Sequence, residues 1–178
     1  MGPPRGIRYD RPLNMESGTT VLGLIQRVSA ARVEVDGSKV ADIGPGLLAF
    51  IGVERDDTEY EAERLLARIA GYRVFPDHDG RMNLSLLDVG GELLLVPQFT
   101  LAADTRKGTR ASFGPAADPA LGEKLFRHMV KTAEREGLAA SSGVFGAHMK
   151  VALENDGPVT FLLTARTGVP RLRKRGGR

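Results

Sequence analysis

Asn155-Asp156-Gly157-Pro158-Val159-Thr160 stands just ahead of an apolar run, and Pro97-Gln98-Phe99-Thr100-Leu101 closes another such run earlier in the chain. Proline fixes φ and removes a backbone donor, while glycine leaves the main chain open to close approach. A Gly-Pro step between polar residues is therefore a rigid turn whose carbonyls hold fixed directions. Such a turn can read a ligand with backbone atoms alone. On these residues by themselves, an ordinary hairpin turn is the plainer reading.

Outward from that turn the pattern is dominated by strands, with two helices. Leu22 to Val28 and Arg32 to Val35 have strand character, and Asp36-Gly37 signals a turn. Gly46 to Val53 is a continuous apolar run, as expected of a strand buried on both faces. Thr58 and Glu61 are spaced as a capping box, and Leu65, Leu66, Ile69 and Ala70 then recur at helical spacing. Tyr72 to Phe75 and Glu92 to Val96 read as strands. A second helix is predicted from about Pro119 to Arg135, with Leu121, Leu125, Met129, Val130 and Ala133 on one face. Val144 to Leu153 and Val159 to Leu163 complete the strands. The expectation is a single α/β domain over residues 21–165, with a mixed, mostly antiparallel sheet and two main helices.

The ends read differently. Residues 1–20 are rich in Pro and Gly and carry no pattern, so they are expected to be a disordered extension, with Met15 an alternative start. Residues 166–178 hold six of the 25 basic residues and no acid, and read as a flexible basic tail. Split this way, the net charge of +3 reverses: residues 21–165 carry 16 basic against 20 acidic residues, a net of −4. Contact between the core and a nucleic acid must then come from local clusters of cations. Residues 1–20 contain no apolar stretch like that of a secretory signal, and no run approaches the ~20 apolar residues of a membrane span. A cytoplasmic protein without a membrane partner is expected.

The usual hydrolytic kits find no footing. With no cysteine in the chain, thiol catalysis, disulfides and cysteine-bound zinc are excluded. His78, His128 and His148 form no paired-ligand spacing, so no metal site is expected. Asp77-His78-Asp79-Gly80 opens like a calcium loop but lacks its remaining ligands. No Gly-x-Ser-x-Gly, Gly-x-Gly-x-x-Gly or Walker pattern occurs.

The two opening segments, taken together, resemble the paired signature motifs of the D-aminoacyl-tRNA deacylases, also called D-tyrosyl-tRNA deacylases. Leu24-Ile25-Gln26-Arg27-Val28, Ile43-Gly44-Pro45-Gly46-Leu47-Leu48 and Arg81-Met82-Asn83-Leu84 fit in order and spacing. So do Ala103-Asp104-Thr105-Arg106-Lys107-Gly108 and Phe145-Gly146-Ala147-His148-Met149. The resemblance covers roughly residues 22–164. It implies a small barrel-like fold and a homodimer with a cross-subunit active site. The implied substrate is D-aminoacyl-tRNA, or mischarged glycyl-tRNA, whose ester is hydrolysed without a cofactor. Main-chain groups would hold the α-amino group, and the terminal ribose 2′-hydroxyl would help to activate water.

Residue by residue, the resemblance makes Gly157 and Pro158, joined by a cis bond and donated by the partner subunit, a filter that occupies the space of an L side chain. Asn155 and Thr160 would brace that turn, with Arg27 beside it; five guanidinium donors can hold two carbonyls in one orientation. Gln98, Phe99 and Thr100 would line the acyl pocket of the other subunit, packed by Phe145 and Met149. Thr100 offers a hydroxyl, but threonine without a nearby base is a poor nucleophile. Arg106, Lys107 and Arg110 form a basic cluster suited to tRNA phosphates. Many relatives have serine where this chain has Pro97, so no contact assigned to that serine carries over. A sister group of tRNA deacylases shares the proline but has alanine in place of Phe99; Phe99 and Val159 align this chain with the D-specific group.

Overall fold

A computed structural model describes residues 20–166. Its centre is a long first strand, β1 (Thr20–Val35), which three other strands use in turn. β2 (Ser38–Ile43) folds back on its second half, and β3 (Gly46–Gly52) pairs antiparallel with its first half, Leu22 to Val28. The last strand, β8 (Met149–Arg166), runs antiparallel along the whole of it. Beyond β3 the sheet continues in parallel through β6 (Glu92–Pro97) to β7 (Ala140–Ser142), in the order β2-β1-β3-β6-β7. β2 curls round until it lies beside β6 and β7, so the sheet nearly closes on itself. This is the mixed, barrel-like α/β domain expected from the sequence.

Helix α1 (Glu59–Ala70) begins at the expected capping box. The Thr58 hydroxyl accepts from the Tyr60 N–H, and the Glu61 carboxylate takes the Thr58 N–H at 3.0 Å. Between it and β6 come the two-residue β4 (Phe75–Pro76), the short β5 (Met82–Leu84) and one helical turn, α2 (Leu86–Val89). Helix α3 (Pro119–Arg135) starts with Pro119 in its first turn behind Asp118, whose carboxylate accepts from the Leu121 N–H. Leu47, Ala49, Ile51, Leu93 and Leu95 meet Leu65, Ile69, Leu125 and Met129 of the two long helices. Leu48, Leu94 and Val96 point the other way, into a second cluster with Val28, Val33 and Ile43. Strands buried on both faces are why β3 and β6 read as unbroken apolar runs. Each such leucine adds about 1.5–3 kcal/mol.

Several of the predicted strands differ in extent. The segments Leu22–Val28 and Arg32–Val35 are one strand, because pairing with β8 resumes at Ala30 and Ala31 after an irregularity at Ser29, whose hydroxyl donates to the Glu154 carboxylate at 2.6 Å. Tyr72–Phe75 contracts to Phe75–Pro76: the Tyr72 N–H remains bonded to α1, and the Val74 carbonyl accepts from Arg27. Val144–Leu153 begins only at Met149, since the Val144 N–H donates to the Met149 sulfur across a turn. Of the two tails, Thr20 and Arg166 belong to paired strands, and the rest of each lies outside the described residues.

One buried acid gives the fold a pH dependence. Asp57, 4 % exposed, accepts from the Glu54 N–H at 2.7 Å. Burial pushes its pKa up to about 7, against the Glu54 N–H; the charges of Glu54 and Glu61 push it further. The folded state therefore holds a proton between roughly pH 4 and pH 7 that the unfolded state has released. Stability from this group is complete below that window and is lost as the pH rises through 7. Urea unfolding should show the wild type losing about 2 kcal/mol more than Asp57→Asn between pH 5 and pH 7.5. Parallel pH profiles for the two proteins would remove Asp57 as the cause.

Candidate active site

Where β6 ends, the chain turns at once into a 3₁₀ turn, Phe99–Ala102, which packs directly on β3. A Cβ on Gly52 would lie 2.8 Å from the Leu101 Cβ and 3.2 Å from the Gln98 carbonyl, so only glycine admits this approach. The Gln98 N–H continues the ladder to the Ile51 carbonyl at 2.7 Å. The turn forms one wall of a cleft of about 460 Å³ walled largely by apolar groups, among them Val96, Pro97, Phe99, Phe126, Phe145 and Met149. Gln98, Asp118 and His148 are the lining residues with polar side chains. The structure thus gathers Gln98, Phe99, Phe145 and Met149 around one cavity. Thr100 is not on its lining: the residue is exposed, and its hydroxyl accepts from the Gln98 side-chain amide. Among the described residues no acid, histidine or lysine contacts that hydroxyl, so nothing there would activate it as a nucleophile.

The second group assembles elsewhere, on β8. Gln26 pairs with Thr160 and Val28 with Asn155, which leaves Arg27 alone opposite four residues, Asp156 to Val159. Those four bulge out of the ladder, and Asp156, Gly157 and Pro158 are exposed. The Gly157–Pro158 bond is cis. Asn155 braces the bulge from one side: its Oδ1 accepts from the Val159 N–H at 2.7 Å, and its Nδ2 donates to the Val159 carbonyl at 3.1 Å. The Thr160 hydroxyl joins the Asn155 and Gln26 amides at 3.2 and 3.1 Å. From the other side, Arg27 Nε donates to the Asp156 carbonyl at 2.8 Å and Nη1 to the Val74 carbonyl at 2.6 Å. The side chain that sequence reading placed beside the turn does hold two carbonyls at once. No residue of the bulge lines the cleft, so within the chain the two groups stand apart.

The basic cluster lies on a third element. Asp104 and Ser112 exchange two backbone hydrogen bonds, of 2.8 and 3.0 Å, closing an exposed loop that carries Arg106, Lys107 and Arg110. Arg106 folds back on Asp104 through two contacts, and with its own N–H holds that carboxyl well below the usual carboxylate range. Sequence reading passed over Phe113, whose ring sits 5.1 Å from that of Phe99; only its exposed aromatic character in a Ser-Phe-Gly turn marks it. It also passed over the ring of Pro97, which adds apolar wall to the cleft. Asp77, His78 and Asp79 come together at the surface, but the Asp77 oxygens are engaged by the Asp79 and Arg81 N–H groups and by Asn83.

Residues 24–164 match the sequence model of the D-Tyr-tRNA(Tyr) deacylase family. The chain belongs to that family. It is 64% identical over 143 residues to a D-aminoacyl-tRNA deacylase of Thioalkalivibrio sulfidiphilus, covering 80% of this chain and 96% of the relative. A D-aminoacyl-tRNA deacylase of Alkalilimnicola ehrlichii is also 64% identical, over 146 residues, covering 82% and 97%. Among solved structures, the c-Myc DNA Unwinding Element Binding Protein superposes with a TM-score of 0.76 at 33% identity, over 80% of this chain and 97% of that one. A probable eukaryotic D-amino acid tRNA deacylase shares the fold, with a TM-score of 0.67 at 20% identity over 82% and 99%. No helix among the described residues is long and apolar enough to cross a membrane.

Proposed function

We propose that this chain hydrolyses the ester linking a D-amino acid, or glycine, to the 3′ end of tRNA, and spares the L-aminoacyl ester. The reading rests above all on the bulge at Asp156–Val159. Its side-chain clamps are turned to holding the main chain in place, and its exposed tip is glycine and proline. Such a surface recognises by backbone position and excluded volume, which suits a test of chirality at Cα better than a test of side-chain identity. Cleft and bulge are separate in one protomer, so a homodimer in which each Gly157–Pro158 tip covers the partner's cleft completes the site. The enzyme then acts in the cytoplasm, where aminoacyl-tRNA is made and used.

The chemistry asks little of the side chains. Water adds to the ester carbonyl, and the tetrahedral intermediate collapses with departure of the ribose oxygen, which takes up a proton. A fixed orientation and hydrogen-bond donors near the developing oxyanion can supply most of the acceleration. Gln98 is tied to β3 through its N–H and to Thr100 through its amide, so the turn is rigid at the point where the acyl group would lie. Thr100 serves as a support for Gln98. Phe145 and Met149 supply an apolar wall for the terminal nucleoside.

Purified protein incubated with D-tyrosyl-tRNA and L-tyrosyl-tRNA in the presence of EDTA tests this directly. Fast release from the D form alone is the expected result. Release from both forms would keep a hydrolase and discard the chirality filter. Release from neither, with folded protein and intact tRNA, would leave a protein that binds RNA without cleaving the ester.

A further inference from the structure

We propose that Phe113 and the loop closed by Asp104 and Ser112 form a platform for the unpaired nucleotides preceding the esterified one, with a base stacked on the ring and phosphates held by Lys107, Arg110 and Arg55. This deepens the deacylase reading and rests on it. The Phe99 and Phe113 rings are tilted by 51° to each other and are 58% and 46% exposed, an unusual amount of aromatic surface for a domain with so few aromatic residues. Phe99 belongs both to this ring pair and to the lining of the cleft. A strand whose terminal nucleoside occupied the cleft would therefore leave its mouth across Phe113.

Cations of the sign that phosphates require stand on the same segments. Arg106 is spent on Asp104, and Lys107 adds its field to the same carboxylate without reaching it. Arg110 and Arg55 have no carboxylate within ion-pair distance among the described residues. Arg55 is anchored to this surface: its N–H donates to the Pro115 carbonyl at 3.0 Å, and its guanidinium lies beside Gly114. Lys107 and Arg110 ride the loop that ends beside Phe113, and Arg55 lies beside Gly114, so exposed cations stand on the segments that carry this ring pair. Aromatic faces that accept any base, set among cations that track phosphates, are what single-stranded nucleic acid selects.

The test uses deacylated tRNA with 2-aminopurine in place of the nucleotide before the terminal adenosine, whose emission is quenched on stacking. Wild-type protein should quench it. Phe113→Leu should abolish the quench and raise Kd about tenfold, and Phe113→Tyr should restore both. Lys107→Gln with Arg110→Gln should keep the quench and reduce the slope of log Kd against log salt by about 1.4, at ~0.7 per phosphate. Equal quench and equal Kd in wild type and Phe113→Leu would overturn the platform. A Phe113→Leu protein whose mass in solution changes along with its binding would overturn it too, in favour of a subunit contact. Hydrolysis of D-tyrosyl-tRNA by the same wild-type preparation separates the two readings. Turnover with unchanged Phe113→Leu binding sinks the platform alone, and quenching without turnover sinks the deacylase reading while the platform stands.

Discussion

Gly157→Ala should lower kcat/KM for D-tyrosyl-tRNA by about 10²-fold and leave the protein folded. A Cβ at this position would fall 2.5 Å from the Val159 nitrogen and 2.6 Å from Val159 Cγ2, closer than real contacts allow. Something must move, and the nearest atom is backbone. That nitrogen is held by Asn155 Oδ1 at 2.7 Å, so relief of the clash breaks the brace that positions the tip. A displacement of about 1 Å in a positioning element costs on the order of 10²-fold in rate. Because the obstacle is the main chain, truncating Val159 to Ala in the same protein should not rescue activity. The Gly157–Pro158 tip is exposed and contributes little packing, so unfolding free energy should change by less than about 1 kcal/mol. Steady-state kinetics on the D and L esters, beside a thermal melt, decide the matter. A folded Gly157→Ala protein with wild-type kcat/KM would sink the assignment of the tip as a filter.

How much of this was legible in the sequence depends on how local each cause is. Helix α3 runs over the predicted residues because its start is written locally, in Asp118 as cap and Pro119 behind it. The Thr58–Glu61 box is legible for the same reason, and the apolar runs of β3 and β6 announce burial on both faces. The continuity of β1 was not legible, since whether Ala30 and Ala31 resume pairing after Ser29 depends on β8, more than a hundred residues away. Nor was the short α2, although Ser85 and Asp88 carry its capping box in plain view. For the site, residue types alone gave only a turn and a strand end; the resemblance supplied Gln98, Phe99, Gly157 and Pro158. Which of them share a cavity is a matter of tertiary packing. So is the Phe99–Phe113 pair, whose partners come together only because Asp104 and Ser112 close the intervening loop.

Arg27 is the residue through which the core reaches the bulge, and Arg27→Leu should be costly on both counts. Its side chain is 12% exposed, so its donors work in a partly dry setting, while the Asp156 carboxylate it meets at 3.2 Å is 60% exposed. That ion pair is screened and contributes little on its own. The two carbonyls matter more, since hydrogen bonds from a charged donor are each worth about 1.5–3 kcal/mol. Leucine would keep much of the packing of the stem and leave the Val74 carbonyl without its donor. A loss of about 2–3 kcal/mol in unfolding free energy follows. Release of the Asp156 carbonyl frees the bulge on the side opposite Asn155, so kcat/KM for the D ester should fall about 10²-fold as well. Lysine cannot reproduce the planar fork that spans two carbonyls, so Arg27→Lys should recover only part of either loss. Arg27→Leu and Gly157→Ala both act by letting the same tip move, and the second substitution has little left to displace. Combined, their kinetic losses should fall well short of the product of the two. Losses that multiply in full would mean that Arg27 supports activity by a route that does not pass through the bulge.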